Sequence, residues 1–363
     1  MQKENKRIVL TGGHAATTAM STVEELIRRD TDKSLEIYWI GVEKAVEGSN
    51  IKTIEAELMP KMGVYFKPIN TGRIQRRFTL WTIPSLLKIP FGFISALFLL
   101  LKIKPKVILS FGGFASFPVV VCGWFLGIPI VIHEQTACIG RANKYSLFFA
   151  DKVALSRESS IKFVNKKKYV ITGNPVMTQI TEVKPKDEIP TNKPTLFIMG
   201  GSRGSQRINE NIKPIVDDLI AEFNVIHQVG PMDFEEYKNL QKPGYQVFDR
   251  IDPMKIDNVY READIIVARA GANTVSEILV TGRPAILIPI PWSYLNEQYE
   301  NAKYVEEIGL GKIIPQEKLS PKLLFENIVK IRSDWKKINK KVVSSDVEAS
   351  KKLVDLLEEY IVR

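Results

Sequence analysis

At 363 residues the chain is too long for one ordinary core, so two domains of about 170 residues are expected. Forty-five per cent hydrophobic and 25 per cent charged residues are ordinary for a soluble globular protein, while two cysteines, Cys122 and Cys138, exclude a disulfide framework and a zinc site and fit a reducing compartment. The net charge of +10 lies almost wholly in Leu58–His133, which has nine Lys and Arg and not one Asp or Glu, a field that favours an anionic surface or ligand.

Met1–Arg7 runs straight into a strand, Ile8–Leu10, without the pattern of a signal peptide. Thr11-Gly12-Gly13-His14 is a turn opening a helix to about Arg29, and Leu35–Ile40 is the next strand. His14, just after two glycines at the mouth of the first sheet, is where a general base can face a hydroxyl nucleophile; a histidine that merely caps a helix is the alternative. Asp30-Thr31-Asp32 has the spacing of a metal-binding pair, but its polar context reads as a solvated turn, and no metal is expected.

Leu80–Leu101 is the most apolar part, yet its uninterrupted piece, Ile89–Leu101, has 13 residues where a bilayer span needs roughly 20. Phe93–Leu101 reads as a buried helix. Upstream, Trp81, Ile83, Leu86, Leu87 and Phe91 mix with Arg76, Arg77 and Lys88, a composition suited to docking on an anionic membrane surface. Nucleic acid is not expected, because no helix-turn-helix, zinc or aromatic-platform pattern accompanies the charge.

Val107–Ser110 is a strand feeding a second glycine turn, Phe111–Ser116, with Gly112 and Gly113 at its centre. Ile128–His133 is another, ending in His133-Glu134-Gln135-Thr136. Gly173-Asn174-Pro175 reads as an interdomain linker. Strand Thr195–Met199 then enters a third glycine turn, Gly200–Ser205, where backbone amides, Ser202 and Arg203 suit a phosphate and a plain β-to-α turn is the alternative. Val225–Gln228 and Gln246–Phe248 are further strands, and His227 looks like a buried strand residue. None of the glycine turns matches the spaced GxGxxG fingerprint, which argues against NAD.

Ala263–Ala302 reads as strand (Ile265–Ala268), glycine turn, helix (Thr274–Thr281, closed by Gly282), strand (Ala285–Ile290) and polar loop, a βαβ unit whose ligand sits beyond the strand carboxyl ends. Glu277 is expected in the first turn of that helix, either accepting two hydrogen bonds from a ribose diol or complementing the helix dipole. The tail from Asp346 to Val362 is an amphipathic helix.

Taken together, TGGH (Thr11–His14), FGGFAS (Phe111–Ser116), HEQT (His133–Thr136), GNPV (Gly173–Val176), GGSRGS (Gly200–Ser205) and RAGANTVSE (Arg269–Glu277) occur in an order that resembles the MurG family, the bacterial N-acetylglucosaminyltransferases of peptidoglycan synthesis. The resemblance covers essentially the whole chain. It implies an α/β fold of the GT-B type, two Rossmann-like domains with parallel sheets facing a cleft. Residues 1–173 would be the acceptor and membrane-binding domain, with 346–363 packing back on it, and 174–345 the UDP-sugar domain. It implies transfer of GlcNAc from UDP-GlcNAc to the C4 hydroxyl of MurNAc in undecaprenyl-linked lipid I, inverting and without a metal or other cofactor, at the cytoplasmic face of the cell membrane.

Carried over residue by residue, His14 is the catalytic base, and Thr11, Gly12, Gly13, Gly112 and Gly113 face the acceptor diphosphate. Thr136, Gly201, Ser202, Arg203, Gly204, Ile251, Ala272, Asn273, Thr274, Glu277, Glu297 and Gln298 meet the donor, with Glu277 on the ribose and Glu297 and Gln298 at the GlcNAc hydroxyls. The chain departs from the family pattern at Thr136, where Asn is usual after HEQ, and at Glu297, which replaces the first glutamine of a pair. It departs also at Met177, at Arg203 and in Ala15–Thr18, which lacks the usual proline; Arg203 is expected to supply the cation that Met177 does not. The rival readings are transfer to another lipid acceptor or from another UDP-sugar, a sugar-nucleotide epimerase and a non-catalytic sugar-nucleotide-binding membrane scaffold.

Overall fold

Strands buried on both faces need near-continuous apolar runs, and Val107–Leu109, Ile265–Ala268 and Leu196–Met199 satisfy that demand. The computed structural model describes residues 6–13, 15–44, 52–72, 83, 87–201, 203–338 and 344–361. It divides into two compact units, Met1–Met177 with Glu348–Arg363, and Thr178–Val347.

The first unit holds a seven-stranded sheet of β1 (Lys6–Thr11), β2 (Leu35–Gly41), β3 (Tyr65–Pro68), β4 (Val107–Ser110), β5 (Ile130–Glu134), β6 (Lys152–Leu155) and β7 (Tyr169–Ile171). Their order is β3-β2-β1-β4-β5-β6-β7, with every pairing parallel. The chain therefore winds outward in one direction from β1 and in the other from β4, which makes the β1/β4 junction the switch point where an open α/β sheet binds its ligand. Helices α1 (Ala16–Arg29), α2 (Ile89–Ile103) and α3 (Ser116–Phe125) cover the sheet's faces.

The second unit repeats the plan with six parallel strands: β8 (Thr195–Met199), β9 (Asn224–Gln228), β10 (Tyr245–Phe248), β11 (Ile265–Ala268), β12 (Ala285–Leu287) and β13 (Gly311–Ile313). Their order β10-β9-β8-β11-β12-β13 puts this switch point between β8 and β11. Its faces carry separate cores: Leu196, Ile198, Ile265 and Val267 belong to one, and Phe197, Met199, Ile266 and Ala268 to the other. Helices α4 (Gln206–Ile212), α5 (Ile256–Glu262), α6 (Ala272–Thr281) and α7 (Glu297–Glu307) follow the strands in turn.

The terminal helix α8 (Ala349–Ile361) returns to the first unit, burying Leu353, Val354 and Leu357. Arg29 of α1 holds it by Nη1 contacts of 2.7 Å to Asp355 and 2.9 Å to Glu358. Two expectations need correction. Gly173-Asn174-Pro175 is not the interdomain linker: Asn174 is fully buried, the adjoining Val176 O accepts a hydrogen bond from Ser21 Oγ at 2.7 Å, and the division falls after Met177. Nor is Phe93–Leu101 a buried helix. Its buried stripe is Gly92, Ala96, Leu100 and Ile103, while Phe91, Ile94, Phe98 and Leu101 are exposed.

Candidate functional site

In the first unit the two glycine turns meet at the switch point. Gly13 N donates to Gly112 O at 3.0 Å, and Phe111 N donates to Thr11 O at 2.8 Å. Gly112 and Gly113 have φ of +80° and +94°, and a Cβ on Gly113 would stand 2.8 Å from Gly13 N, so conformation and space both require glycine. Thr11 is fully buried beneath them. Helices α1 and α3 start beside these turns, and neither has a side-chain cap or an acidic residue in its first turn. Two helix N-termini at one sheet edge form a site for an anion such as a diphosphate. His14 lies outside the described residues, between Gly13 and Ala15, the residue that precedes α1.

The HEQT segment continues this edge. His133 is buried in β5, with Nε2 3.1 Å from Gly173 O and 3.4 Å from Ser156 Oγ, and so ties its strand to the segments that follow β6 and β7. Glu134, to which the sequence reading gave no role, organises the loop. One oxygen accepts from Thr136 N at 3.0 Å and Thr136 Oγ1 at 2.8 Å; the other accepts from Gly140 N at 2.7 Å and Asn143 Nδ2 at 2.9 Å. The hydroxyl of Thr136, expected at the donor, is therefore committed to Glu134. Thr18 Oγ1 of α1 donates to Gln135 Oε1 at 3.2 Å, which ties the helix start to the same loop.

In the second unit the GGSRGS turn follows β8. Gly201 and Gly204 have φ of +82° and +75°, and a Cβ on Gly204 would lie 1.9 Å from Val229 O, because the turn is packed against the chain leaving β9. Arg203 is exposed, and Ser202 lies outside the described residues. Gln228, which the sequence did not single out, donates from Nε2 to Gly201 O at 3.0 Å and accepts from Ile251 N at 3.0 Å. It sets the turn against Ile251 and occupies that residue's N–H.

Across the switch point, α6 starts without a side-chain cap, and Ala272, Asn273 and Thr274 are its first three residues. Glu277 consequently lies in the second turn rather than the first. A dipole contribution fades beyond the first turn, so complementing the dipole no longer accounts for this carboxylate. It is buried, and its Oε2 accepts from the Tyr260 hydroxyl at 2.6 Å. Burial pushes its pKa up to about 7, against the smaller opposing effect of the Tyr260 hydrogen bond. Below the turn, Arg269 donates to Ser205 Oγ at 3.0 Å, Ile288 O at 2.9 Å and Gln316 Oε1 at 2.7 Å, binding both glycine turns to one frame. Gln298 accepts from Ile290 N at 3.1 Å, which leaves its amide NH2 as the donor it offers a ligand. Glu297 begins α7 directly after Leu295 and Asn296, two non-glycine residues at φ of +52° and +56°. Such left-handed residues cluster where a loop is held for binding.

The apolar surface of the first unit extends beyond α2. Ile83, Leu87 and Phe91 are exposed as expected for docking residues, and Phe98 on α2, Phe125 at the end of α3 and Phe148 add to it, with Phe125 74 per cent exposed. Trp124 packs against Phe125 and Phe148, with ring centroids at 5.0 and 6.0 Å. Lys88 is described and half-buried, whereas Arg76, Arg77, Trp81 and Leu86 lie outside the described residues. Among the described residues no helix is long and apolar enough to cross a membrane.

Two doubly wound parallel sheets, each with glycine turns at its switch point, make up the GT-B architecture. Residues 11–155 match the glycosyltransferase family 28 N-terminal domain, and residues 195–357 its C-terminal domain. A protein of Clostridium kluyveri called UDP-N-acetylglucosamine--N-acetylmuramyl-(pentapeptide) pyrophosphoryl-undecaprenol N-acetylglucosamine transferase is 31 per cent identical, over 98 per cent of this chain and 99 per cent of its own. One of the same name from Legionella pneumophila is 30 per cent identical over 97 and 96 per cent. Among solved structures, Acinetobacter baumannii MurG matches with a TM-score of 0.72 and 24 per cent identity over 98 per cent of this chain and 99 per cent of that one. The UDP-GlcNAc 2-epimerase of Neisseria meningitidis shares the fold at a TM-score of 0.64 and 13 per cent identity, over 98 and 100 per cent. The chain belongs to the MurG family and is a glycosyltransferase.

Proposed function

We propose that the protein transfers GlcNAc from UDP-GlcNAc to the C4 hydroxyl of MurNAc in undecaprenyl-pyrophosphoryl-MurNAc-pentapeptide, with inversion and without a metal or other cofactor. The observation that carries this reading is the near-full-length similarity to enzymes named for that transfer, on a chain that retains a glycine-turn anion site in each unit. The helix starts and turn amides supply fixed positive dipoles for both diphosphates, so the charge that develops as UDP departs has partners in the protein itself. Glu277 holds the ribose diol, the Gly201–Gly204 turn with Ser202 and Arg203 meets the donor diphosphate, and Gln298 and Glu297 read the sugar. Thr11, Gly12, Gly13, Gly112 and Gly113 face the acceptor diphosphate, and His14 takes the proton of the attacking hydroxyl. Transfer of radiolabelled GlcNAc to a short-chain lipid I analogue in the presence of EDTA is the expected result. Saturable UDP binding with no transfer moves the assignment to another acceptor or another UDP-sugar, with Thr136 and Glu297 the first residues to exchange for the sugar.

We also propose that the apolar surface bearing Phe91, Phe98 and Phe125, among the cations of the acid-free stretch, docks the enzyme on the anionic cytoplasmic face of the membrane. Each exposed phenylalanine that enters the lipid boundary contributes about 1.5–3 kcal/mol. Phe98→Glu combined with Phe125→Glu should therefore lower partition onto anionic vesicles at least roughly tenfold. Transfer to a water-soluble acceptor should be unchanged. Equal sedimentation of parent and variant with the vesicles rules this surface out.

A further inference from the structure

The Glu277 carboxylate is held by a side chain that none of the sequence motifs contains. Tyr260, on α5, is fully buried, and its ring meets Phe197 of β8 edge-on at 5.9 Å. Its backbone carbonyl accepts from Arg283 Nε at 3.0 Å. Arg283, also buried, sends Nη1 to Thr281 O at 2.7 Å and Lys184 O at 3.1 Å, so one guanidinium ties α5 to the end of α6. The distance between the phenol and Glu277 is thus set from both helices.

Phenylalanine would fill the same apolar space. A hydroxyl in such a core is unfavourable unless it gains a strong partner, and among the described residues that partner is Glu277 Oε2 at 2.6 Å. Burial and the neighbouring carboxylate hold the phenol pKa well above its ordinary value, so Tyr260 stays the donor and Glu277 the acceptor. A carboxylate has two oxygens, and a vicinal diol brings two O–H donors; with Oε2 engaged by the phenol, Oε1 keeps both of its lone pairs.

We propose that Tyr260 is a positioning residue of the nucleotide-sugar site: its hydroxyl holds Oε2 of Glu277 and so presents Oε1 to the ribose diol. The inference rests on the assignment of Glu277 to the ribose, and the test separates the two. Calorimetric binding of UDP-GlcNAc and of its 2′-deoxyuridine counterpart gives a ribo-to-deoxy affinity ratio for each variant. Tyr260→Phe should weaken UDP-GlcNAc about tenfold, the loss of one hydrogen bond to a charged group, and change the deoxy analogue little, so the ratio shrinks. The pH at which UDP-GlcNAc binding is half lost should also rise, because the phenol stabilises the ionised carboxylate.

Few other charges face this pair. Arg283 lies behind Tyr260 with Asp264 near its guanidinium, α7 buries Asn301, Ala302 and Val305, and the short helix Thr178–Thr181 has no ionisable side chain. An unchanged ratio and midpoint in Tyr260→Phe overturns the proposal, as does an equal loss of both ligands with a lowered Tm, the mark of packing alone. A ratio retained in Glu277→Gln overturns the ribose assignment instead.

Discussion

Glu277→Gln should weaken UDP-GlcNAc binding on the order of a hundredfold, the scale of losing hydrogen bonds to a charged acceptor. It should also remove the pH dependence of that binding. In the parent, burial raises the carboxyl pKa from its ordinary 4.5 to about 7. Two O–H donors from a ribose favour the ionised form, so binding releases a proton wherever the free site is protonated. Parent affinity should accordingly fall as pH drops below about 7, approaching tenfold per pH unit, and level off above it. UDP-GlcNAc is the ligand to use, because its diphosphate is esterified at both ends and does not titrate near neutrality.

The same residue has a stability signature of opposite sign. A carboxyl whose folded pKa is raised binds more protons folded than unfolded between pH 4.5 and 7. The stability it allows is complete below 4.5 and is lost as pH rises towards 7, by up to about 3 kcal/mol. Glu277→Gln should flatten the parent's decline in Tm across that window while reducing ligand binding. A buried acid that lowers the stability of the free protein is a candidate site residue, and the paired binding and Tm measurements test that. Parent affinity that is flat from pH 5.5 to 8 would remove the carboxylate from the ribose.

The sequence made the doubly wound plan legible because burial on both faces leaves a simple trace. Val107–Leu109 and Ile265–Ala268 are unbroken apolar runs with a glycine three residues further on, and both lie at switch points. Strands β3, β6, β7 and β13 went unread: Tyr65–Pro68, Lys152–Leu155 and Gly311–Ile313 each include a lysine that no apolar pattern predicts, and Tyr169–Ile171 is a half-exposed edge strand of three residues. Helix α2 misled for a different reason. Its exposed positions are as apolar as a core, and the stripe it buries is marked by small residues, Gly92 and Ala96, where it meets Thr71 and the neighbouring α3. The glycine turns and Glu277 could be named from spacing. Tyr260 and Gln228 could not, since each acts through a partner that only tertiary structure brings near, and Glu134 could not because its partners include main-chain N–H groups of its own loop, which no spacing marks.

The same division of labour predicts what His14→Ala should do. Apart from Thr136 the proposed donor contacts belong to the second unit, and His14 belongs to the first, so the dissociation constant for UDP-GlcNAc should stay within about twofold, while turnover falls roughly 10²- to 10⁴-fold, the range for removing a general base. The fold should persist, because the turn around position 14 is held by main-chain bonds: Gly13 N to Gly112 O, and Ala19 N to Ala15 O at the start of α1. A base acts in its neutral form, so the parent rate should rise with pH through the histidine range, and the variant should lose that limb. Proton removal is the step that makes a sugar hydroxyl nucleophilic, whereas the helix starts at Ala16 and Ser116 are proposed to act on charge already present in the acceptor diphosphate. The variant should therefore bind acceptor and donor together and stall before transfer. Turnover within threefold of the parent, with an unchanged pH profile, would show that another group takes the proton and that position 14 serves only the turn.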